Sequence, residues 1–355
     1  MMKKLFPILI VALTLPTSLL AEQAVNSTGS TQSALELLKK GQTQEAVSDL
    51  EKMIHQYPNN TEVRSLLANI YLSQNESEKA EKHYLEVIRM NPKNAEAHNN
   101  LGLVYLKKGK VDKAMASFRA AIEKNPKLSE AHYNLGEAAL LAGQFQIAVD
   151  CFKKALEFNP KDSSVEAKLG TALAKSGAVQ DAIPHLEKAI KNHSDDFQNI
   201  GDLGFAYLSQ NKPEKASEQF QIVIKTYPKS TMAHYGLGLS LKALKKSDEA
   251  IVEFKKANES SPNFIDAYLE SGALLSMAGK PEEAKLDFEK AAQIYRDLFK
   301  KGARSSVGRL RFSEVLIQLG KLEEAKGNLQ KILKAENAQS SLYMEAQSLM
   351  KGLTK

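Results

Sequence analysis

An all-α stack of about nine helical hairpins is the fold class the sequence predicts, and three observations predict it. Pro58, Pro92, Pro126 and Pro160 follow one another at 34-residue spacing, and Pro228 and Pro262 resume the count after Ser194 stands in one proline's place. In frames starting at 27, 61, 95, 129, 163, 197, 231, 265 and 306, position 20 is alanine every time, from Ala46 to Ala325. Position 8 is always small: Ala34, Ala68, Gly102, Gly136, Gly170, Gly204, Gly238, Gly272 and Ser313. Position 24 is always a large apolar residue, for example Leu50, Tyr84, Phe118, Phe152 and Phe220. A fixed period of this length marks one supersecondary unit stacked on copies of itself. Small residues at positions 8 and 20 are expected where the two helices of a hairpin touch, with position 24 filling the gap to the next hairpin.

The elements follow in order. Met1-Met2-Lys3-Lys4, an apolar run from Leu5 to Leu20 broken by Pro7 and Pro16, and Ala21 before a polar stretch have the three parts of a secretory signal peptide. Sixteen residues with two prolines fall short of the roughly 20 that span a bilayer as a helix. Cleavage after Ala21 would leave 46 basic against 42 acidic side chains, and no Cys follows the run to carry a lipoprotein anchor. Residues 22–30 read as a flexible mature N-terminus, and Ser27, Thr28, Gly29 and Ser30 are expected to shorten the first helix.

Within the frames, AEAHNNLGLVYLKKG and VDKAMASFRAAIEKNP space their apolar residues as helices do. Gly41, Gly109, Gly143, Gly177 and Gly279 are expected to end first helices, and Pro213 and Pro281 to open second ones. The residue before each period proline is pushed out of the α region, which closes the second helix. In the fifth frame Pro184 enters the second helix and Ser194 replaces the proline, so a kink or loosened joint is expected near 184–196. The predicted bounds are a signal peptide at 1–21, frames one to eight over 31–298, a basic insertion at 299–305, frame nine at 306–338 and a capping helix within 339–355.

Composition leaves two or three globular domains open beside one elongated array, but 43% hydrophobic and 25% charged residues disfavour disorder. The single Cys151 forms no disulfide, redox pair or multi-cysteine zinc site. A net charge of +6 over 355 residues supports no nucleic-acid claim. His98, His132 and His234 recur at position 4, but a hairpin spacing of about 10 Å between frames keeps them from sharing one ion, so core packing is the expectation and no metal or cofactor is. No HExxH, GxSxG or phosphate-binding glycine loop is present, and Cys151 has no activating base in view, so the chain is not expected to be an enzyme. Glu62, Glu96, Glu130 and Asp266 at position 2 suit the positive end of a helix dipole as well as they would an acidic groove.

HNNLGLVYLKKGKVDKAMASFRAAIEKNP and HYNLGEAALLAGQFQIAVDCFKKALEFNP resemble the tetratricopeptide repeat family over about nine frames, with His98 and His132 in place of the usual Trp. The resemblance implies a right-handed superhelical solenoid of 34-residue helix-turn-helix repeats with a C-terminal capping helix, whose first helices line a concave groove that binds protein segments. It implies groove roles for Asn69, Asn100 and Asn134, whose amides would grip a peptide backbone, and for Tyr133, Phe205 and Tyr235. Leu72, Leu103, Leu106, Leu140 and Leu141 would make the early groove partly apolar. Asn69 and Asn100 match the asparagines of a carboxylate-clamping subfamily, but Ser65, Glu130 and Asn134 stand where its basic residues belong, which excludes that activity.

The insertion before frame nine is a second candidate. Arg296, Lys300, Lys301, Arg304, Arg309 and Arg311 lie there against Asp297 alone. If the preceding helix continues, Arg296, Lys300 and Arg304 share one face, with Tyr295, Leu298 and Phe299 on the packed side. The bland alternative is a solvated linker; the sharper one is an anionic protein or membrane surface.

Together these readings predict an exported, periplasmic or secreted scaffold that binds protein segments and has no nucleic-acid ligand, with envelope assembly, secretion or pilus biogenesis as roles by analogy. The alternatives are an adaptor tethered by an uncleaved N-terminus and a protein whose partner is itself, as a homo-oligomer.

Overall fold

A computed structural model of the chain describes residues 31–192 and 196–353, with the side chain of Asn192 outside that description. The predicted signal peptide, residues 22–30 and Ser194 lie outside the described residues. The chain divides into two compact units between His193 and Ser194, where the proline series is interrupted. Among the described residues all regular structure is α-helical.

The first unit pairs α1 (Gln32–Lys39) with α2 (Thr43–Gln56), α3 (Thr61–Ser73) with α4 (Ser77–Met90), α5 (Ala95–Lys107) with α6 (Val111–Lys124), α7 (Ser129–Leu141) with α8 (Phe145–Phe158), and α9 (Ser163–Ser176) with α10 (Val179–Asn192). The second pairs α11 (Phe197–Ser209) with α12 (Pro213–Thr226), α13 (Thr231–Ala243) with α14 (Ser247–Ser260), α15 (Ile265–Met277) with α16 (Pro281–Lys300) and α17 (Ser306–Gln318) with α18 (Leu322–Ala335), and ends in α19 (Ser341–Gly352). Odd-numbered helices up to α17 are therefore the first helices of hairpins, even-numbered ones the second. Each helix packs on its chain neighbours within its unit.

Local chemistry sets these boundaries. The residue before a first helix caps it in six hairpins: Asn60 accepts from Glu62 and Val63 N–H, Asn94 from Ala97, Asp162 from Ser164 and Val165, Asp196 from Asn199, Ser230 from Ala233 and Ser305 from Gly308. Position 15 ends every first helix in the left-handed region. Six frames place glycine there, two place Asn75 and Asn211, and one places Lys245 at φ 61°. Pro184 lies inside α10, which continues helical through it to Asn192, and the far end of the joint expected at 184–196 falls partly outside the described residues.

The repeated small and large residues meet in a pairing the sequence did not suggest. A Cβ on Gly102 would lie 2.5 Å from the Phe118 ring, and one on Gly136 2.7 Å from Phe152. Position 8 is thus small to admit the position-24 side chain of its own hairpin. The ring also reaches forward as expected: a Cβ on Gly236, at position 6 of the next frame, would be 2.3 Å from Phe220. The rings of Phe118, Phe152, Phe220 and Phe254 have no solvent exposure. The helix predicted at 339–353 is α19; its Ala346 is fully buried against Leu310, Leu329 and Ile332, with Leu342, Leu349 and Met350 packed alongside.

Candidate functional site

In the first unit, successive first helices α3, α5, α7 and α9 touch one another directly, while the second helices make no comparable contact with the next second helix among the described residues. The first-helix face is therefore the inside of the bend within that unit. α11 and α13 have the same relation in the second unit.

The inner face of the first unit carries a connected run of carboxamides. Asn134 Nδ2 donates to Asn99 Oδ1 at 2.9 Å, Asn99 Nδ2 donates to Asn100 Oδ1 at 3.1 Å, and Asn100 Nδ2 donates to Asn69 Oδ1 at 3.1 Å. The Tyr84 hydroxyl donates to the same Asn69 oxygen. Burial pushes that phenol well above its ordinary range, so it stays a donor. The run crosses α3, α5 and α7, with Asn69 and Asn99 buried and Asn100 and Asn134 half-buried. It fixes each amide's orientation and makes its directions unequal. The sequence reading named three of the four members and missed Asn99, the link between frames.

Around this run, Leu103 and Leu72 are buried at 6% and 3% exposure, so neither offers the apolar contact expected of it. Leu106, Leu140 and Tyr133 are half-buried, and Leu141 is exposed. Tyr133 rests against Phe152 with ring centroids 5.7 Å apart, and burial raises its phenol pKa. Two cations missed in the sequence flank the face. Lys107 Nζ donates to the Leu72 carbonyl at 2.7 Å and to Asn75 Oδ1 at 3.0 Å, closing the C-terminus of α3. Lys168 pairs with Glu137 at 3.2 Å between α9 and α7.

In the second unit Phe205 packs edge-on to Phe220 at 4.9 Å. Tyr235 meets Phe264 at 5.0 Å and Phe254 at 5.8 Å, and burial pushes its phenol up to about 12. Both Phe205 and Tyr235 are half-buried.

The basic residues near the insertion separate into two groups. Arg296 makes a two-pronged pair with Glu324 at 2.9 and 2.8 Å, Arg311 pairs with Asp266 at 2.9 Å, and Arg309 lies 4.4 Å over the Phe299 ring and donates to Asn328 at 3.2 Å. Lys300, Lys301 and Arg304 are exposed and have no side-chain partner among the described residues. α16 ends at Lys300 and Gly302 turns left-handed at φ 91°, so Arg304 does not share a helical face with Arg296 and Lys300 as expected. Leu298 is 40% exposed rather than packed, while Tyr295 is buried and Phe299 half-buried.

The position-4 histidines have a structural task. His98, His132 and His234 place Nε2 at 3.2, 2.9 and 2.8 Å from the carbonyls of Pro92, Pro126 and Pro228, six residues back, and Arg64 donates twice to Pro58 in the same way. A carbonyl only accepts, so each ring nitrogen donates. Among the described residues no cluster of His, Cys, Asp and Glu could hold a metal ion. Cys151 is buried, which raises its thiol to about 11 and leaves little thiolate at neutral pH. Among the described residues no helix is long and apolar enough to cross a membrane.

The class this geometry defines is a helical-hairpin repeat protein whose first helices form one continuous face in each unit. The family described as the cilia and flagella-associated protein 70 C-terminal domain, a tetratricopeptide repeat family, matches residues 17–268, more than half of the chain. The chain belongs to the tetratricopeptide repeat family. No curated protein matches it. Among solved structures, a tetratricopeptide repeat protein from Parabacteroides merdae is 18% identical, covering 74% of this chain and 99% of that one with a TM-score of 0.56. A human IFIT1 dimer with m7Gppp-AAAA is 20% identical over 94% of this chain and 83% of that one, with a TM-score of 0.55. YrrB, a tetratricopeptide repeat protein with an unusual peptide-binding site, is 22% identical over 52% of this chain and 95% of that one, with a TM-score of 0.46. At these identities the likeness is one of fold.

Proposed function

We propose that the chain is an exported scaffold that binds an extended protein segment on the first-helix face of its first unit and performs no chemistry itself. The observation that carries this reading is the carboxamide run Asn134–Asn99–Asn100–Asn69. At one end the Asn134 oxygen has no partner among the described residues and can accept a main-chain N–H; the half-buried amide groups of Asn100 and Asn134 can meet main-chain carbonyls. Tyr133 and the exposed Leu141 beside the run supply apolar contact for alternate side chains. Export is supported by the basic-apolar-Ala21 pattern of the first 21 residues, and a periplasmic destination with a role in envelope assembly, secretion or pilus biogenesis goes with it.

Selection of peptides from a random display library on the purified chain, followed by affinity measurement with Asn100→Ala and Asn134→Ala variants, tests the site. Selected peptides should lose tenfold or more on the double substitution, about 0.7 kcal/mol per amide lost. Peptides that bind both forms equally would place the site elsewhere. Expression with the natural N-terminus should give a product whose mass begins at Glu22; an intact Met1 would favour a tethered adaptor.

A further inference from the structure

The seven residues by which frame nine is late go mostly into a helix. α16 starts at Pro281 in register with the other second helices but runs 20 residues, where α2, α4, α6, α8, α10, α12, α14 and α18 have 14 each. At 1.5 Å per residue its end lies about 9 Å further along its axis than theirs would. A five-residue turn, 301–305, then leads to α17, whose cap is Ser305. The family match ends at residue 268, before this extension begins.

The tip has an uneven charge economy. Three arginines near the tip are neutralised or stacked, as described above: the half-buried Arg296 and Arg309, and the exposed Arg311 through its pair with Asp266. The three cations at the tip itself, Lys300, Lys301 and Arg304, are exposed and unpaired among the described residues, and the adjacent Asp297 accepts from Gln293 at 3.0 Å. Leu298 and Val307 flank them at 40% and 49% exposure. Cations bracketed by exposed aliphatic side chains on a projecting turn are matched by a surface that is negative outside and apolar just beneath.

We propose that the α16–α17 tip docks on an anionic bilayer surface, with Lys300, Lys301 and Arg304 against the phosphates and Leu298 and Val307 entering the boundary between headgroups and acyl chains. An acidic protein patch would satisfy the cations but gives the two aliphatic side chains no role. It would also favour the planar, two-pronged recognition of arginine, whereas two of the three cations are lysines, point charges without directional demand. Each cation near an anionic membrane strengthens binding about fivefold, so the three together supply on the order of a hundredfold.

The test is sedimentation with phosphatidylcholine vesicles, with and without phosphatidylglycerol. It uses the full chain and a chain starting at Glu22, which keeps every described helix and removes the apolar run 5–20 as a source of binding. The triple variant Lys300→Glu, Lys301→Glu, Arg304→Glu is compared with a charge-matched control, Lys93→Glu, Lys127→Glu, Lys161→Glu, at three exposed loop lysines of the first unit. Lys300→Gln, Lys301→Gln, Arg304→Gln repeats the first without placing negative charge at a helix C-terminus. Expected results are binding to anionic but not neutral vesicles, loss of about a hundredfold in the glutamine variant, more in the glutamate variant and much less in the control, and a further loss at high salt with Leu298→Ser and Val307→Ser. Equal binding to neutral vesicles, retention by the tip variants or equal loss in the control would overturn the proposal. So would binding of polyglutamate in place of vesicles, which would make the tip a site for acidic protein.

Discussion

Gly102→Ala should destabilise the first unit although it places a better helix former in the middle of α5. The added Cβ would meet Phe118 Cε1 at 2.5 Å, Cδ1 at 2.7 Å and Cζ at 2.9 Å, against an ordinary carbon contact of about 3.5 Å or more. Three ring atoms on one side are engaged, and the ring has no solvent exposure, so it cannot swing away without moving α5 from α6. Overpacking of this kind costs about 1–3 kcal/mol, and the upper end applies to a fully enclosed ring. The propensity gain of Ala over Gly returns about 1 kcal/mol, leaving a net loss of about 2 kcal/mol. Phe118→Leu alone leaves a cavity and costs on its own, but in the Gly102→Ala background it relieves part of the clash, since even a leucine at this position comes close, as Leu186 Cγ would at 2.7 Å from a Cβ on Gly170; the double variant should therefore be more stable than the sum of the single losses by about 1 kcal/mol. Frame one combines Ala34 with Leu50 and frame two Ala68 with the buried Tyr84, so alanine at position 8 is accommodated where the hairpin is built around it, which the α5–α6 hairpin is not. Urea midpoints of the four proteins, followed by far-UV circular dichroism, measure the cycle. Strictly additive losses, or a Gly102→Ala protein as stable as the parent, would refute the pairing of positions 8 and 24.

Three further outcomes are expected. Lys245→Gly should stabilise the second unit by about 1 kcal/mol, because Lys245 is held at φ 61° while six other frames use glycine there; a rise of a few degrees in Tm checks it, and a fall would show that the lysine side chain outweighs the backbone strain. Asp287→Asn should raise stability at neutral pH: burial raises the Asp287 carboxyl above its usual 3.8, and its Oδ2 meets no donor. Its contribution is therefore complete below pH 3.8 and lost as pH rises through the folded value, so the gain from the substitution should vanish in acid; an equal gain at every pH would contradict this. Glu166 behaves oppositely. Burial raises its pKa, but hydrogen bonds from Lys188 and His185 outweigh that and lower it below 4.5, so its stabilisation is present above that pH and lost as pH falls through the folded value. Glu166→Gln should flatten the acid limb of stability against pH, and an unchanged limb would count against the pair.

The period, the hairpins and the terminal helix were legible because each depends on residue size or on a turn residue at a fixed offset. Which small residue meets which large one was not legible, since the sequence shows that position 8 is small and position 24 large without saying that the two are in contact across 16 residues. The insertion was misread for a related reason: helical spacing joined Arg296, Lys300 and Arg304, while the left-handed Gly302 ends the helix before Arg304. The carboxamide run was half visible. Asn69, Asn100 and Asn134 stood out one by one, but their connection depends on the offset between neighbouring hairpins, and nothing in its own position marked Asn99 as the link.

Position 4 shows how the array separates structural from binding chemistry. Where it is Arg64, His98, His132 or His234, it holds the carbonyl of the period proline and so fixes the turn between hairpins. In three frames position 4 pairs across the hairpin with position 23: Glu166 with His185, His234, which also holds Pro228, with Glu253, and Arg309 with Asn328. The acid and the base exchange places between the first two of these frames, so what recurs is the contact and not the residue. A turn held in this way sets the rise from one first helix to the next, and that rise decides whether position 6 of one hairpin can reach position 9 of the hairpin before it. Asn100 reaches Asn69 by that offset where His98 holds the turn, and Lys168 reaches Glu137 by the same offset in a frame whose position 4 is Glu166. The inner face is therefore set in advance by contacts between hairpins, so a segment binding there as proposed would meet amides already oriented and a lower ordering cost.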